Sequence, residues 1–162
     1  MARELCIVWA GRHQRRDWED LCGQYRDKIR RFTPLRDLPV KVREGSEEEA
    51  ARKRAEGRAL LGAVPEPCWR VALDRRGRQR TSEELAEWLA RLREKWPHPI
   101  VFLIGSDLGL APEVRAEVRE EISFGPLTLP HELARLVLYE QIYRALCIAG
   151  GINYHRAEFS TG

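Results

Sequence analysis

Three consecutive side chains near the end of the sequence, Tyr154, His155 and Arg156, have types that could act together on a nucleotide. An aromatic ring stacks on bases, an imidazole accepts a proton near neutral pH, and a guanidinium binds phosphate. The residue types alone leave two interpretations open. The segment is either an ordinary surface tail or a polar cluster beside a ligand site.

A second candidate is the stretch Phe-Gly-Pro-Leu-Thr-Leu-Pro at 124–130, which directly precedes the last predicted helix. A loop between a strand and a helix is ordinarily short and rich in Asp, Ser, Gly or Asn. This segment is apolar, and Pro126 and Pro130 stiffen it, because each proline ring fixes a backbone torsion. We therefore expect a rigid, extended loop at the carboxyl end of a strand, where open α/β sheets bind ligands.

Several common cofactor motifs are missing from the sequence. The first apolar run is not followed by G-x-G-x-x-G, and no G-x-x-x-x-G-K-[ST] occurs, so neither a Rossmann fingerprint nor a P-loop is present. In Gly-Ser-Asp-Leu-Gly the serine directly follows the first glycine, which predicts that Ser106 is a turn residue rather than a nucleophile. His131 has no second histidine at the H-E-x-x-H spacing, and no other histidine pair has metal-ligand spacing, so we predict no metal site.

Strand and helix patterns alternate along the whole chain. Apolar or alternating runs predict strands at 5–10, 38–44, 68–74 and 99–105, with a short fifth strand before the proline-containing loop. Helical spacing predicts helices at 15–32, 46–61, from Ser82 onward, from Pro112 to about 121, and from near Pro130 to Gly150. This order predicts an α/β fold: a mostly parallel sheet with helices on both faces. No linker interrupts residues 1–162, so we predict a single domain.

Some local features of this pattern carry separate expectations. Ser82 is the expected N-cap of the third helix, Ser46 and Glu49 form a candidate capping box, and residues 75–80 are expected to be a basic loop. The last helix is apolar on two nearly opposite faces, which indicates burial on two sides. The second side is covered either by the same chain or by another subunit.

Composition narrows the class of protein. Hydrophobic residues make up 43% of the chain, and no apolar run approaches the ~20 residues of a membrane span. The four cysteines form no C-x-x-C pair, and we expect reduced, mostly buried thiols in a cytoplasmic protein. The net charge is +3, but residues 1–80 carry +7 and residues 81–162 carry −4. A basic half favours a polyanionic partner, although a solvated surface gives the same balance.

Three segments together resemble a known family. They are Val-Phe-Leu-Ile-Gly-Ser-Asp-Leu-Gly-Leu at 101–110, the segment at 122–145 that begins Ile-Ser-Phe-Gly-Pro-Leu-Thr-Leu-Pro-His and ends Glu-Gln-Ile-Tyr-Arg-Ala, and Tyr-His-Arg at 154–156. They resemble the bacterial SPOUT-class methyltransferases. More narrowly, the chain is similar to the family that methylates N3 of a pseudouridine in large-subunit ribosomal RNA. The similarity covers most of the chain and is strongest over residues 99–156.

The resemblance implies a fold and a set of partners. It implies a deep trefoil knot near the C-terminus, an S-adenosylmethionine site within about residues 99–150, a homodimer, and ribosomal RNA in the large subunit or the 70S ribosome as the substrate. The implied cofactor contacts are Leu73, Gly105, Gly125, Pro126, Leu127, Thr128, Leu129 and Pro130. The implied catalytic residues are Tyr154, Arg144, His155 and Arg156, with His131 supporting the pocket or binding RNA.

These expectations include a mechanism and one departure from the family pattern. His155 would remove the N3 proton, directly or through water, while Arg156 or Arg144 would stabilise the negative charge on the neighbouring carbonyls. Relatives usually carry a second glycine where this chain has Ser106, so the geometry of that loop is an open question. Arginines of the basic half, among them Arg26, would contact RNA phosphates.

Two other functions remain compatible with the same segments. One is a SPOUT methyltransferase that acts on transfer RNA or on another ribosomal base. The other is a knotted RNA-binding or ribosome-assembly protein without catalytic activity. Cofactor binding distinguishes the enzymes from the pure binding protein, because a binding protein has no need of an intact cofactor loop.

Overall fold

The computed structural model describes residues 3–11, 15–41 and 48–154. Its elements are, in chain order, β1 (Leu5–Ala10), α1 (Arg16–Arg30), β2 (Leu35–Val40), α2 (Glu49–Ala63), β3 (Trp69–Gln79), α3 (Ser82–Lys95), β4 (Ile100–Ile104), α4 (Pro112–Ala116), β5 (Glu120–Ser123) and α5 (His131–Ala149). The strands form one parallel sheet in the order β2-β1-β4-β3-β5. The predicted α/β class is therefore confirmed. None of the helices in these ranges is long and apolar enough to cross a bilayer.

The interior of the sheet is built from the most apolar runs of the sequence. β1 and β4 are neighbours in the middle of the sheet, and every residue in both strands is buried. Such continuous apolar runs are typical of parallel strands that are covered on both faces. β2 lies at one edge and contains Pro39, which an edge strand tolerates because one side of its backbone has no partner.

Side chains that alternate along β1 separate two hydrophobic cores. Leu5, Ile7 and Trp9 pack with residues of α1, α3 and α5, whereas Cys6 and Val8 pack with residues of α2 and α4. Alternation follows from the two-residue period of a strand. Within the described ranges, the sheet is thus a middle layer with three helices on one face and two on the other. All four cysteines are buried free thiols.

α5 lies between α1 and α3 and packs against both of them. This arrangement explains the two apolar faces of the helix within one chain. The alternative in which another subunit covers one of those faces is therefore not needed to explain the pattern.

β3 continues through the segment that was expected to be a basic loop, so that prediction was wrong. Leu73 and Arg78 both lie opposite Ile122 of β5, and the residues between them form a bulge. A Cβ atom on Gly77 would lie 2.6 Å from the carbonyl carbon of Glu121, so only glycine fits where the bulge presses on β5. Bulges of this kind are common beside active sites, where they redirect side chains.

Several predicted boundaries are also corrected. β2 begins and ends earlier than expected. α4 ends at Ala116, because the following residues form β5, which pairs with β3. The N-cap of α3 is Thr81 rather than Ser82: Thr81 accepts a bond from the Glu84 N–H, and the Glu84 carboxylate accepts one from the Thr81 N–H. Pro130 lies one residue before α5. Ser46 lies outside the described residues.

Candidate active site

A cavity of about 870 Å³ opens at the carboxyl ends of the strands. Three chain segments form most of its wall: the β3 bulge, the β4–α4 loop at 104–110, and the β5–α5 loop at 124–130. Lys53 of α2 and the first turn of α5 complete it. Its position agrees with the rule that open α/β sheets bind ligands outside the carboxyl ends of their strands.

Most of the expected cofactor residues line this cavity. Leu73 comes from the start of the bulge and Gly105 from the end of β4, while the β5–α5 loop contributes Gly125, Leu127, Thr128, Leu129 and Pro130. Pro126 does not line the cavity and is exposed. The Leu127 side chain is 74% exposed, an uncommon environment for a large apolar group.

The backbone of the β4–α4 loop folds closely on itself at its glycines. A Cβ atom on Gly105 would lie 2.9 Å from the carbonyl oxygen of Gly109, so the cavity wall cannot hold a larger residue at position 105 without moving. Gly109 adopts a φ of 77°, in the left-handed region that favours glycine. These two glycines shape the wall where a ligand would meet backbone rather than side chains.

Ser106, where the resemblance led us to expect a second glycine, has a specific partner. Its backbone N–H donates to Glu56 at 2.7 Å, and its hydroxyl donates to the other carboxylate oxygen of Glu56 at 2.6 Å. Glu56 is only 5% exposed, so these bonds satisfy a buried carboxylate that would otherwise lack hydrogen-bond partners. The Ser106 hydroxyl also accepts the N–H of Leu108 at 3.3 Å. The serine therefore joins the β4–α4 loop to α2.

Two further bonds connect the wall segments across the cavity. The His131 ring nitrogen Nδ1 lies 2.9 Å from the Asp107 carboxylate, which joins α5 to the β4–α4 loop. This bond lowers the pKa of Asp107 below its ordinary value. The Arg75 guanidinium donates to the Thr128 hydroxyl at 3.0 Å, which joins the β3 bulge to the β5–α5 loop.

Tyr154 and Arg144 do not line the cavity within one chain. The Tyr154 hydroxyl donates to Glu140 at 3.2 Å, and the Arg144 guanidinium donates to the same carboxylate oxygen at 2.7 Å and lies over the Tyr154 ring. His131, at the cavity, lies at the opposite end of α5 from Arg144, about 20 Å along the helix axis. His155 and Arg156 lie outside the described residues.

A buried ionic network joins α5 to α1 and β2. Arg135 is almost fully buried, donates to Glu19 at 3.0 Å and to Asp37, and lies over the Trp9 ring. Arg26 donates to the same two carboxylates. Because Arg26 is committed to these ion pairs, it does not have the free guanidinium that phosphate contact was expected to require.

Several residues that line or support the cavity wall could not be predicted from the sequence. Asp74 accepts the backbone N–H of Arg76 at 2.9 Å and so closes the bulge, but its strand was expected to end there. Lys53 and Glu56 lie on a helix that has the composition of a polar surface helix. The helical spacing of Glu56 beside Leu60 was the one available sign that this carboxylate faces inward. Within 3–11, 15–41 and 48–154, no three potential metal ligands come together.

Comparisons with known proteins agree with this architecture. A family described as "Predicted SPOUT methyltransferase" matches residues 4–155. A relative from Gluconacetobacter diazotrophicus is 43% identical over 154 residues, covering 93% of this chain and 96% of the relative. Relatives from Rhodospirillum centenum and Maridesulfovibrio salexigens are 40% and 36% identical, cover 94% of this chain, and are themselves covered over 99% and 97% of their lengths. All three carry the name "Ribosomal RNA large subunit methyltransferase H". The chain belongs to the SPOUT methyltransferases, a family of enzymes.

Proposed function

We propose that this chain transfers a methyl group from S-adenosylmethionine to N3 of a pseudouridine in large-subunit ribosomal RNA. The observation that carries the proposal is the cavity bounded by three strand-end segments, in a chain whose relatives are named as methyltransferases of that RNA. The narrower target, pseudouridine N3, rests on the resemblance in residues 101–110, 122–145 and 154–156. Family membership further implies the trefoil knot, with residues 1–162 as one domain.

The cavity has the size and donor chemistry that this cofactor requires. Its volume of about 870 Å³ lies within the range typical of sites for small organic ligands. Leu127 and Leu129 offer apolar surface for an adenine face, and the glycine-containing loops offer backbone N–H and C=O groups for its edge. Lys53 and Arg75 also line the cavity and match a carboxylate in charge. When bound, the cofactor supplies a methyl group already activated by its sulfonium.

The protein must therefore mainly activate the acceptor nitrogen. An imide N3 is protonated at neutral pH and becomes nucleophilic when it loses that proton. We assign its removal to His155, with Arg156 and Arg144 stabilising the charge that develops on the carbonyl oxygens. The bond that Arg144 makes to Glu140 holds its guanidinium beside Tyr154, which would fix both before RNA binds.

A second copy of the chain would bring the two halves of the site together. Within one chain about 20 Å of α5 separates Arg144 and Tyr154 from the cavity. An antiparallel pair of α5 helices from two copies would place the tail of one copy at the cavity of the other. We therefore propose that the homodimer is the active form.

The RNA would meet the exposed arginines around the cavity. Arg75, Arg76 and Arg78 of the β3 bulge are exposed, as are Arg15 and Arg16 at the start of α1. Arginine forms bidentate bonds with phosphate, and each phosphate contact makes binding sensitive to salt. A substrate of this kind also implies that the protein works in the cytoplasm.

The test of this function is methyl transfer from radiolabelled S-adenosylmethionine to 70S ribosomes, isolated subunits and transfer RNA in parallel. Labelling of the large-subunit RNA, with mass spectrometry locating the methyl group on a pseudouridine, is the expected result. Labelling of transfer RNA alone, or of another ribosomal base, would show that the chain is a methyltransferase with a different substrate. Cofactor binding without transfer to any RNA would contradict the proposal.

A further inference from the structure

A second, smaller cavity lies beside the first. It measures about 310 Å³ and is bounded by the end of β3, the start of α3, β5 and α5. It shares Phe124 and Gly125 with the larger cavity, so the two lie on either side of the same loop. None of the residues assigned above to the cofactor, other than Gly125, lines it.

The side chains around this second cavity are mainly cationic or neutral hydrogen-bonding groups. Arg78 comes from β3, Arg80 directly follows that strand, Ser82 comes from the start of α3, Ser123 from β5, and Gln141 from α5. Ser82 donates to Gln141 at 2.8 Å, and Ser123 bonds to the backbone of Gly125. No carboxylate lines the cavity within the described residues.

Arg80 is the most unusual of these groups. Its side chain is 8% exposed, and its terminal nitrogen Nη1 is buried without a hydrogen-bond partner among the residues that the structure describes. The other terminal nitrogen lies 3.5 Å from Glu120, at the limit of a hydrogen bond. A buried guanidinium normally satisfies its donors, because an unmet charged donor is costly.

The charge of Arg80 is also incompletely balanced. The Glu120 carboxylate already accepts the indole N–H of Trp88 at 2.8 Å and that of Trp69 at 3.1 Å. Burial lowers the pKa of Arg80, and the like charge of Arg78 contributes in the same direction. Two neighbouring guanidiniums, one buried and one exposed, therefore face a shortage of negative charge.

We propose that this second cavity binds a phosphate group of the RNA backbone, next to the nucleotide presented to the larger cavity. Arg80 would supply the buried donor and Arg78 the exposed one, with the Ser82 and Gln141 side chains as neutral donors at the wall. Arginine is suited to this role because its planar fork matches two phosphate oxygens. The inference rests on the proposed function, since it takes RNA as the polyanion.

The test compares Arg78→Gln and Arg80→Gln with the wild type and with a matched control, Arg58→Gln. Arg58 is exposed on α2, on the opposite face of the sheet. The probes are 70S ribosomes and a uridine oligonucleotide, whose binding is measured over a series of salt concentrations. Cofactor affinity, thermal unfolding and sedimentation are measured for each variant.

Each site variant is expected to weaken RNA binding about fivefold and to reduce the salt slope by about one unit. Cofactor affinity should not change, and Arg58→Gln should match the wild type in every measurement. If Arg80→Gln unfolds, Arg78→Gln alone tests the phosphate site, because Arg78 is exposed and its replacement should leave the fold intact. Wild-type affinity and slope in Arg78→Gln would overturn the phosphate site. A change in sedimentation instead of RNA affinity would also overturn it, since the cavity would then be a contact between two copies.

These outcomes separate the phosphate site from the proposed function. If the wild type methylates large-subunit RNA but the variants bind it normally, the site fails and the function stands. If the wild type methylates no RNA but the variants still lose affinity for the oligonucleotide, the function fails and the site stands.

Discussion

The carboxylate of Glu56 accepts two hydrogen bonds from Ser106, one from the backbone N–H and one from the hydroxyl. The two residues are far apart in sequence, yet this pair fixes the first turn of the β4–α4 loop to α2. Because Gly105 and Leu108 line the cavity on either side of Ser106, the pair sets the position of that wall. The Ser106 hydroxyl is thus a structural tie between the β4–α4 loop and α2 in this chain.

Removing this tie should weaken cofactor binding more than it weakens the fold. Glu56→Ala leaves the Ser106 donors unmet, and Ser106→Ala removes one bond to a charged acceptor, so we expect affinity for S-adenosylmethionine to fall by about tenfold or more. Glu56→Gln keeps one acceptor oxygen and should restore part of the affinity. Isothermal titration calorimetry measures this, with Glu87→Ala on the exposed side of α3 as the control. Equal affinity in Glu56→Ala and the control would refute the positioning role.

The bond between His131 and Asp107 should give a small, pH-dependent contribution to stability. The pKa of Asp107 is lowered in the folded state, so the contribution is fully present above the unfolded value of about 3.9 and disappears as the pH falls through the lower folded value. Because the Asp107 side chain is 78% exposed, we expect less than about 1 kcal/mol. Urea unfolding of wild type and Asp107→Asn over a series of pH values below about 6 checks this, and the two should converge once the Asp107 carboxyl is protonated in the folded state. A difference that grows toward low pH would contradict the assignment.

Two glycine substitutions should change stability in opposite directions. Gly77→Ala places a methyl group against the backbone of Glu121, and we expect it to reduce the free energy of unfolding by about 2 kcal/mol or more. Gly62→Ala in α2 meets no atom within 4 Å and should be neutral or stabilising by up to about 1 kcal/mol. Thermal unfolding of both variants measures the contrast. If Gly77→Ala were as stable as Gly62→Ala, the bulge would not be held by close packing on β5.

The cysteines of the two cores should be unreactive in the native protein. Burial raises the pKa of Cys6 to about 12 and that of Cys22 to about 11. At pH 8 the thiolate fraction of Cys6 would be roughly one in ten thousand, so an aromatic disulfide reagent should label it only when the chain unfolds. All four thiols should react at once in guanidinium chloride. Rapid labelling of Cys6 or Cys22 under native conditions would show that these cores open readily.

Mixing two inactive variants should test whether two copies share one site. Gly105→Val obstructs the cavity, because even a Cβ there approaches the Gly109 carbonyl oxygen, and His155→Ala removes the proposed base. Each homodimer should be inactive, whereas refolding the two chains together should restore part of the methyl-transfer rate. His155→Ala alone should retain cofactor binding. Absence of any recovery, with mixed dimers confirmed by mass spectrometry, would place cavity and tail of one site on a single chain.

The parts of the fold that depend on local apolar patterns could be predicted, and those that depend on distant pairing could not. β1 and β4 are continuous apolar runs, and their burial follows directly from composition. The continuation of β3 through Arg75 and Arg76 has no such signal, because β5 alone determines it. The same pairing shortens α4, whose helical spacing would otherwise continue.

The residues of the candidate site could likewise be predicted only in part. The prolines and apolar residues of the β5–α5 loop predicted a ligand-binding loop, and most of its expected contacts line the cavity. The burial of Glu56 could not be predicted, because it arises only when the β4–α4 loop folds over α2. Arg80 was part of an expected loop, and its burial beneath Trp88 depends on the packing of α3 against the end of β3.

The loop between β5 and α5 is shared by both cavities through Phe124 and Gly125. A ligand in either cavity would therefore contact the same backbone, and we expect the second ligand to meet a segment that the first has already restricted. By thermodynamic reciprocity, the factor by which the cofactor raises RNA affinity equals the factor by which RNA raises cofactor affinity. The loop would in this way make the enzyme respond to its two substrates as a pair, whichever arrives first.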